Sequence, residues 1–238
     1  MIDRHLAKLR ARHPVTAEEE QAIRSAISEL RDYPADHTFI KRGVTLDHST
    51  LLLDGVMCRY KDLKSGQRQI TELHVAGDFA DLHSFTLKHL DHEVMTLTPC
   101  RVAIVPHERL RRLTEEWPRL TRIYWFATNL DAAIHREWEL SLGRRDARAK
   151  LAALLCELQI RLQIVGLADE RGYVLPLTQT DLAECLGLTN VHVNRTLREL
   201  REQNLVEFQM GQVSILDLPN LRRAAEFDPA YLYLAEKL

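Results

Sequence analysis

The spacing of apolar and polar positions changes character along the chain, and each change predicts a different kind of element. Thr16 with Glu19 three residues on is a capping-box pattern, and Ala22, Ile23, Ala26, Ile27 and Leu30 follow at steps suited to one helical face. That predicts an amphipathic helix closed near Tyr33 and Pro34, because the residue before a proline is pushed out of helical geometry. From about residue 37 the runs become short and extended in type: Phe39–Ile40, Leu51–Leu53, Val56–Tyr60, Gln69–His74 and Arg101–Val105. Gly43, Gly55, Gly66 and Gly77 punctuate them at spacings of 12, 11 and 11, and Ser65-Gly66 is a good hairpin turn. Short strands with a turn at this interval predict a compact antiparallel β-domain over residues 37–106.

Helical spacing returns at Pro106. His107–Trp117 reads as a short helix, and Pro118 opens a longer one. In the longer helix Ile123, Ala127, Leu130, Ile134 and Trp138 form a narrow apolar seam of the kind that pairs two helices, so a dimer contact is expected along it. Gly143-Arg144-Arg145 interrupts the pattern and is the candidate hinge. Ala147–Val165 is a strongly apolar helix, and Gly166–Pro176 reads as a loop.

The stretch Leu177–Leu205 carries the chemistry. Thr178 caps one short helix, with Asp181 three residues later, and Leu182, Ala183 and Leu186 form its buried side. Gly187 supplies a tight turn, and Thr189 caps a second helix running to about Gln203. Two short helices joined in this way form a helix-turn-helix unit. At about 100° per residue, Val193, Leu197 and Leu200 share the inward face of the second helix. Val191, Asn194, Arg195 and Arg198 lie opposite, flanked by Asn190 and His192. Arginine can bond bidentately to guanine, Asn can pair with adenine, and an apolar side chain can meet a thymine methyl. Thr178, Gln179 and Thr189 sit at helix N-termini, where backbone N–H groups favour phosphate. The DNA-contacting residues are therefore expected to be Thr178, Gln179, Thr189, Asn190, Val191, His192, Asn194, Arg195 and Arg198. Two further short strands, Leu205–Phe208 and Val213–Leu216, surround Gly211, and a hairpin directly after a reading helix is a wing.

Composition narrows the classes without naming one. The chain has 238 residues, 45% hydrophobic and 28% charged, with a formal net charge of −2. That is ordinary globular composition, and it excludes a disordered or disulfide-dense scaffold. A near-neutral chain gives no overall signal for nucleic acid, so any such reading must come from local geometry. The start MIDRHLAKLRARHP is charged throughout and lacks the apolar core of a signal peptide. The uncharged, apolar-rich run Ile123–Leu130 is far short of the ~20 residues a membrane span needs. Cys58, Cys100, Cys156 and Cys185 form no CxxC pair and read as reduced, buried thiols of a cytoplasmic protein.

With these motifs in hand, the chain resembles the cyclic-AMP receptor and fumarate–nitrate regulator (Crp/Fnr) family of bacterial transcription factors over nearly its whole length. The resemblance rests on "FIKRG", "LLLDG" and "AGDF" (Phe39–Gly43, Leu51–Gly55, Ala76–Phe79), on the long helix from Pro118, and above all on "LTQTDLAECLGLTNVHVNRTLRELREQNLV". It implies an α+β fold: an N-terminal antiparallel β-roll of the cyclic-nucleotide-binding jelly-roll type, a long dimerisation helix and a C-terminal winged helix-turn-helix. The expected divisions are 1–117, 118–145 and 146–238. It also implies a homodimer on a palindromic DNA operator, with RNA polymerase as a further partner. Arg195 matches the family's guanine-reading arginine. Asn190 and Val191 fall where the cyclic-AMP receptor has an arginine and a glutamate, so the operator should differ at the bases read there.

The effector side of the resemblance departs from the family pattern. Cyclic-nucleotide binders use a Gly-Glu pair for the ribose and an Arg-Ser/Thr pair for the cyclic phosphate. The matching stretch Gly77–Cys100 has no Gly-Glu and no arginine, although Lys88 or Arg101 could substitute. A buried phosphate without a charge-assisted partner is poorly held, so cyclic AMP is not expected and the effector is left open. No cysteines cluster before Cys58, so no iron–sulfur cofactor is expected either; no cofactor or metal is assigned. Two other readings compete. One is a metal-dependent hydrolase built on His83, His89 and His92, beside Asp81, Asp91 and Glu93, although the spacing fits no catalytic motif. The other is a ligand-sensing module that regulates another protein, against which the intact reading helix and wing argue.

Overall fold

The computed structural model describes residues 1–234. Its backbone contacts separate two compact units, Met1–Lys61 with Glu72–Ala132 and Asp62–Thr71 with Ala133–Tyr233. The last four positions of the expected 146–238 segment lie outside the described residues.

The first unit opens with helices α1 (Asp3–Arg10) and α2 (Ala17–Ala26), followed by strands β1 (Glu29–Tyr33), β2 (His37–Ile40), β3 (His48–Asp54), β4 (Val56–Asp62) and β5 (Arg68–Val75). A single helical turn, α3 (Ser84–Leu87), precedes β6 (Glu93–Thr96) and β7 (Cys100–Pro106); α4 (His107–Glu116) follows, then the long α5 (Pro118–Arg144), whose residues from Ala133 on belong to the second unit. The strands form two sheets, ordered β1-β7-β3 and β2-β6-β4-β5. Strand β7 pairs antiparallel with both its neighbours, and β6 does the same with β2 and β4.

The run Leu51–Leu53 is buried without interruption, because successive residues of β3 serve two cores. Leu51 and Leu53, with Ala103 and Val105 of β7, pack among Leu6, Leu110, Leu120 and Ile123 of the helices. Leu52, Val102 and Ile104 face the roll interior with Ile40, Met57 and Val94. A strand covered on both faces loses the alternation that marks a half-exposed one.

Several elements differ from the sequence reading. The capping box of α2 forms as expected, with Thr16 Oγ1 accepting from Glu19 N and Glu19 Oε2 from Thr16 N. The helix nevertheless stops at Ala26, and Leu30 lies in a strand. Ile27 is already extended, Ser28 N donates to Ile104 O at 2.9 Å, and Leu30 pairs with Ala103. A long-range strand pairing has overridden a local helical pattern.

Helix α1 was not anticipated. It buries His5, Leu6 and Leu9, and His5 Nδ1 donates to Gly77 O at 2.9 Å. Gly77 stands at φ +98°, and a Cβ there would come within 2.9 Å of Arg4 O, so the close approach of α1 requires glycine. Burial holds His5 down to about 4, and it is therefore neutral.

The apolar seam of α5 also has a different role from the one its spacing suggests. Ile123, Leu130, Ile134 and Trp138 are buried within the chain itself. They are core positions, and the exposed side of α5 is another stripe: Arg122, Trp125 and Asn129, then Arg136, Glu139 and Leu140. The helix continues through Gly143 to Arg144.

In the second unit, Asp146 caps α6 (Ala147–Ile164) by accepting from Ala149 N at 2.8 Å. Strand β8 (Gly172–Val174) lies inside the segment read as a loop, and helices α7 (Gln179–Leu186) and α8 (Asn190–Glu202) follow. Strands β9 (Val206–Gln209) and β10 (Gln212–Ile215) and helix α9 (Leu218–Ala224) come next, then a 3-10 turn at Pro229–Leu232. The sheet order is β8-β10-β9, so the wing has a third strand. Leu151, Leu155, Leu158, Leu182, Val193, Leu200, Val213 and Leu221 form a dry centre. One acid is buried beside it: Glu157 accepts from Trp138 Nε1 (3.0 Å), Tyr231 Oη (2.9 Å) and Arg161 Nη1 (2.8 Å). Three donors on one carboxylate meet the demand that a buried charge be paired.

Candidate nucleic-acid interface

The surface around α8 is built by local rules. Thr178 caps α7 in a full capping box: its Oγ1 accepts from Asp181 N, and Asp181 accepts in return from Thr178 N. Gly187 takes φ +62° and ends α7 with its N–H on Ala183 O, which lets the chain reverse within two residues. Thr189 then caps α8, accepting from His192 N at 3.3 Å. Asn190 Nδ2 donates to Thr180 Oγ1 at 3.1 Å and ties the start of α8 to α7.

Helix α8 divides into two sides. Val193, Thr196 and Leu200 are buried. Leu197, expected to be inward, is half-buried, and Thr196 takes the central position. Opposite them, Asn190, Val191, His192, Asn194, Arg195 and Arg198 all face solvent, as do Thr178, Gln179 and Thr189. Val191 is 75% exposed, a β-branched apolar side chain that covers nothing in its own chain. An exposed apolar residue among hydrogen-bonding ones is the composition that reads base edges.

The arginines are held loosely. Arg195 Nε lies 3.5 Å from Glu199 Oε1, and Arg198 Nε lies 2.7 Å from Glu202 Oε1, each one helical turn away. Such exposed pairs are worth about 0.3–0.5 kcal/mol, so either arginine can leave its partner at little cost. The pairing to Glu202 pushes Arg198 further up from its already high value.

A groove runs between α8 and the wing, lined by Gln179, Asn194, Arg195, Arg198, Arg201 and Phe208 among others. Arg201 was not singled out from the sequence. The signal was present: it continues the three-residue step of Arg195 and Arg198 into the last turn, where a cation also suits the helix dipole. At the wing tip Met210 is fully exposed at φ +48°. At the start of α7, both the N–H and the hydroxyl of Thr178 are committed to Asp181 Oδ2. Gln179, next in sequence, is exposed.

The histidines do not come together in this way. His83 and His92 meet at 5.4 Å between centroids with their rings tilted by 40°, while His89 is exposed and bridges through its backbone to Thr45. Among the described residues no three His, Cys, Asp or Glu side chains are placed to hold a metal. All four cysteines are buried, and none is in a disulfide among the described residues. Burial pushes the Cys156 thiol up to about 12, which makes it inert.

Comparison with known proteins agrees with this geometry. A family model described as a Crp-like helix-turn-helix domain matches residues 149–224, and one described as a cyclic nucleotide-binding domain matches residues 30–116. The nitrogen fixation regulation protein FixK of Bradyrhizobium diazoefficiens is 32% identical, over 70% of this chain and 69% of its own length. The transcriptional activator protein FnrL of Cereibacter sphaeroides is 28% identical, over 88% of this chain and 86% of its own. Among solved structures, FixK2 from Bradyrhizobium japonicum superposes with a TM-score of 0.76 at 23% identity, covering 83% of this chain and 97% of that one.

Proposed function

Because the chain belongs to the Crp/Fnr family of DNA-binding transcriptional regulators, we propose that it acts as a homodimer that sets two copies of α8 into successive major grooves of a palindromic operator. The observation that carries this is the division of α8. Val193, Thr196 and Leu200 fix the helix to its unit, and Val191, Asn194, Arg195 and Arg198 face solvent on the other side. Arg195 reads guanine, Asn190 and Asn194 offer amides to adenine, and Val191 meets a thymine methyl. Thr189, His192 and Gln179 position the helix on the backbone with Arg201, while Thr178 holds the first turn of α7 in shape.

The dimer uses the exposed stripe of α5. Trp125 is 69% exposed and Leu140 is also bare; with Asn129 and Arg136 they recur at the spacing of a coiled-coil seam. A two-fold axis there is what turns one reading helix into a palindrome reader, with half-sites ~34 Å apart.

From Asp146 onward the chain has 10 Lys and Arg against 13 Asp and Glu, so non-specific attraction to DNA is weak and selectivity rests on α8. Relatives named as transcriptional activators support RNA polymerase as a further partner. No helix among the described residues is long and apolar enough to cross a membrane, which fits work on DNA in the cytoplasm. Selection of bound fragments from random DNA tests the proposal. It should return an inverted repeat, and Arg195→Ala should lose it. Retention of the same repeat by that variant contradicts the proposal.

A further inference from the structure

Strand β4 places a guanidinium inside the roll. Arg59 has a side chain only 3% exposed, and its donors run to three different parts of the first unit. Nε donates to Ala80 O at 2.8 Å, Nη1 to Glu72 Oε2 on β5 at 2.6 Å, and Nη2 to Asp131 Oδ2 on α5 at 3.1 Å. Few side chains can do this; the guanidinium has five donors in a rigid fork, whereas an ammonium is a point charge.

The surroundings are crowded with acid. Glu72 is 1% exposed, and Asp81, fully buried, accepts from Thr50 N and feels the charge of Arg59. Burial first and then the Glu72 charge raise Asp131, against the pull of Arg59 on β4 and Lys8 on α1. Burial lowers His92, with a smaller push from the Arg59 charge, against the raising effect of its bond to Asp91. His74 lies 3.9 Å from Glu72, and His48 faces Asp81. One fixed cation thus stands among three carboxylates.

A cyclic nucleotide would bring another anion. To reach Arg59 it would have to displace buried Glu72 or half-buried Asp131, and it would leave that acid without its cation. The stretch after Gly77, where the resemblance puts the nucleotide's partners, is already engaged, since Ala80 O is taken by Arg59.

We propose that Arg59 is a ligand supplied by the chain itself: through Asp131 it ties α5 to β4 and β5, and specific DNA binding therefore needs no nucleotide. Arg59 bonds directly to Asp131 on α5, where Lys8 acts only through its charge, and the helix runs on to Arg144, so the tie fixes the element that carries the dimer stripe. The inference rests on the DNA-reading assignment above and adds how that reading is set.

Two measurements on the purified full chain test it. The first is retention of the selected DNA fragment, with and without millimolar cyclic AMP or cyclic GMP. Wild type should bind equally well in all cases. Asp131→Asn, which preserves shape and removes the charge, should weaken binding by about tenfold, a typical coupling between distant sites. Arg59→Met combined with Asp131→Leu should cost no more than the worse single change. Tighter binding on addition of either nucleotide overturns the proposal, as does unchanged binding by Asp131→Asn. The second is hydrogen exchange along residues 123–137, which needs no DNA. Faster exchange there in Asp131→Asn, with the circular dichroism unchanged, supports the tie, and unchanged exchange refutes it. If wild type selects no DNA, the DNA reading fails, and the exchange measurement still decides on the tie.

Discussion

Arginine is used in opposite ways in the two units. In the roll, Arg59 is sealed from water and bonds to β5, to α5 and to a backbone carbonyl at once. On α8, Arg195 and Arg198 are exposed, each beside one glutamate of its own helix. The same side chain is a structural tie where desolvation makes every bond expensive to lose, and stays available to a partner where water keeps its pairings weak. Burial, more than residue type, decides which groups hold the chain together and which stay available to a partner.

The largest expected effect lies on the buried side. Arg59→Leu leaves Glu72 without its cation and should cost about 3–5 kcal/mol of the first unit's stability, read by urea unfolding. A loss below about 1 kcal/mol would mean that the network is solvated.

Next comes Asp81, which burial pushes up to about 7. Its carboxyl binds a proton more tightly in the folded chain than in the unfolded one. Its stabilising share is therefore complete below about 4 and is lost as the pH rises through about 7. Relative to wild type, Asp81→Asn should flatten unfolding free energy against pH over that window, by on the order of 4 kcal/mol at most. Parallel profiles for the two proteins would contradict the shift.

On the exposed side the effects on stability shrink. Thr178→Ala removes the cap of α7 and should cost about 1 kcal/mol of the second unit's stability. Smallest is Glu199→Gln, which releases Arg195 and should tighten specific DNA binding by no more than about 0.5 kcal/mol in a retardation titration. A large gain there would show that Arg195 is held back, and the contrast between the units would lose its force.

The sequence disclosed what is settled within a few residues. Thr178 with Asp181, Gly187 and Thr189 fix two helices and a turn by contacts no more than four residues apart, and these are all present. The β-roll was legible through its glycines and short runs. Hidden features depend on distant partners. Leu30 joins a strand because Ala103 lies opposite, and nothing local says so. Ile123, Leu130, Ile134 and Trp138 show an apolar side, but the pattern cannot say whether the chain's own core or a second copy covers it. Arg59 stands inconspicuously in a strand-like run, and its partners are 13 and 72 positions away. His83, His89 and His92 are near in sequence, yet His83 meets His92 while the backbone of His89 is drawn to Thr45, a partner distant in sequence.

Protein–DNA crosslinking from position 195 is the most direct test of the central claim, that the open side of α8 enters the groove. A photoreactive side chain placed there in the full-length protein should crosslink to base edges in both halves of a selected inverted repeat, and one placed at buried position 193 should not. Equal crosslinking from both positions, or none from 195 on DNA that the protein demonstrably retains, would contradict the account.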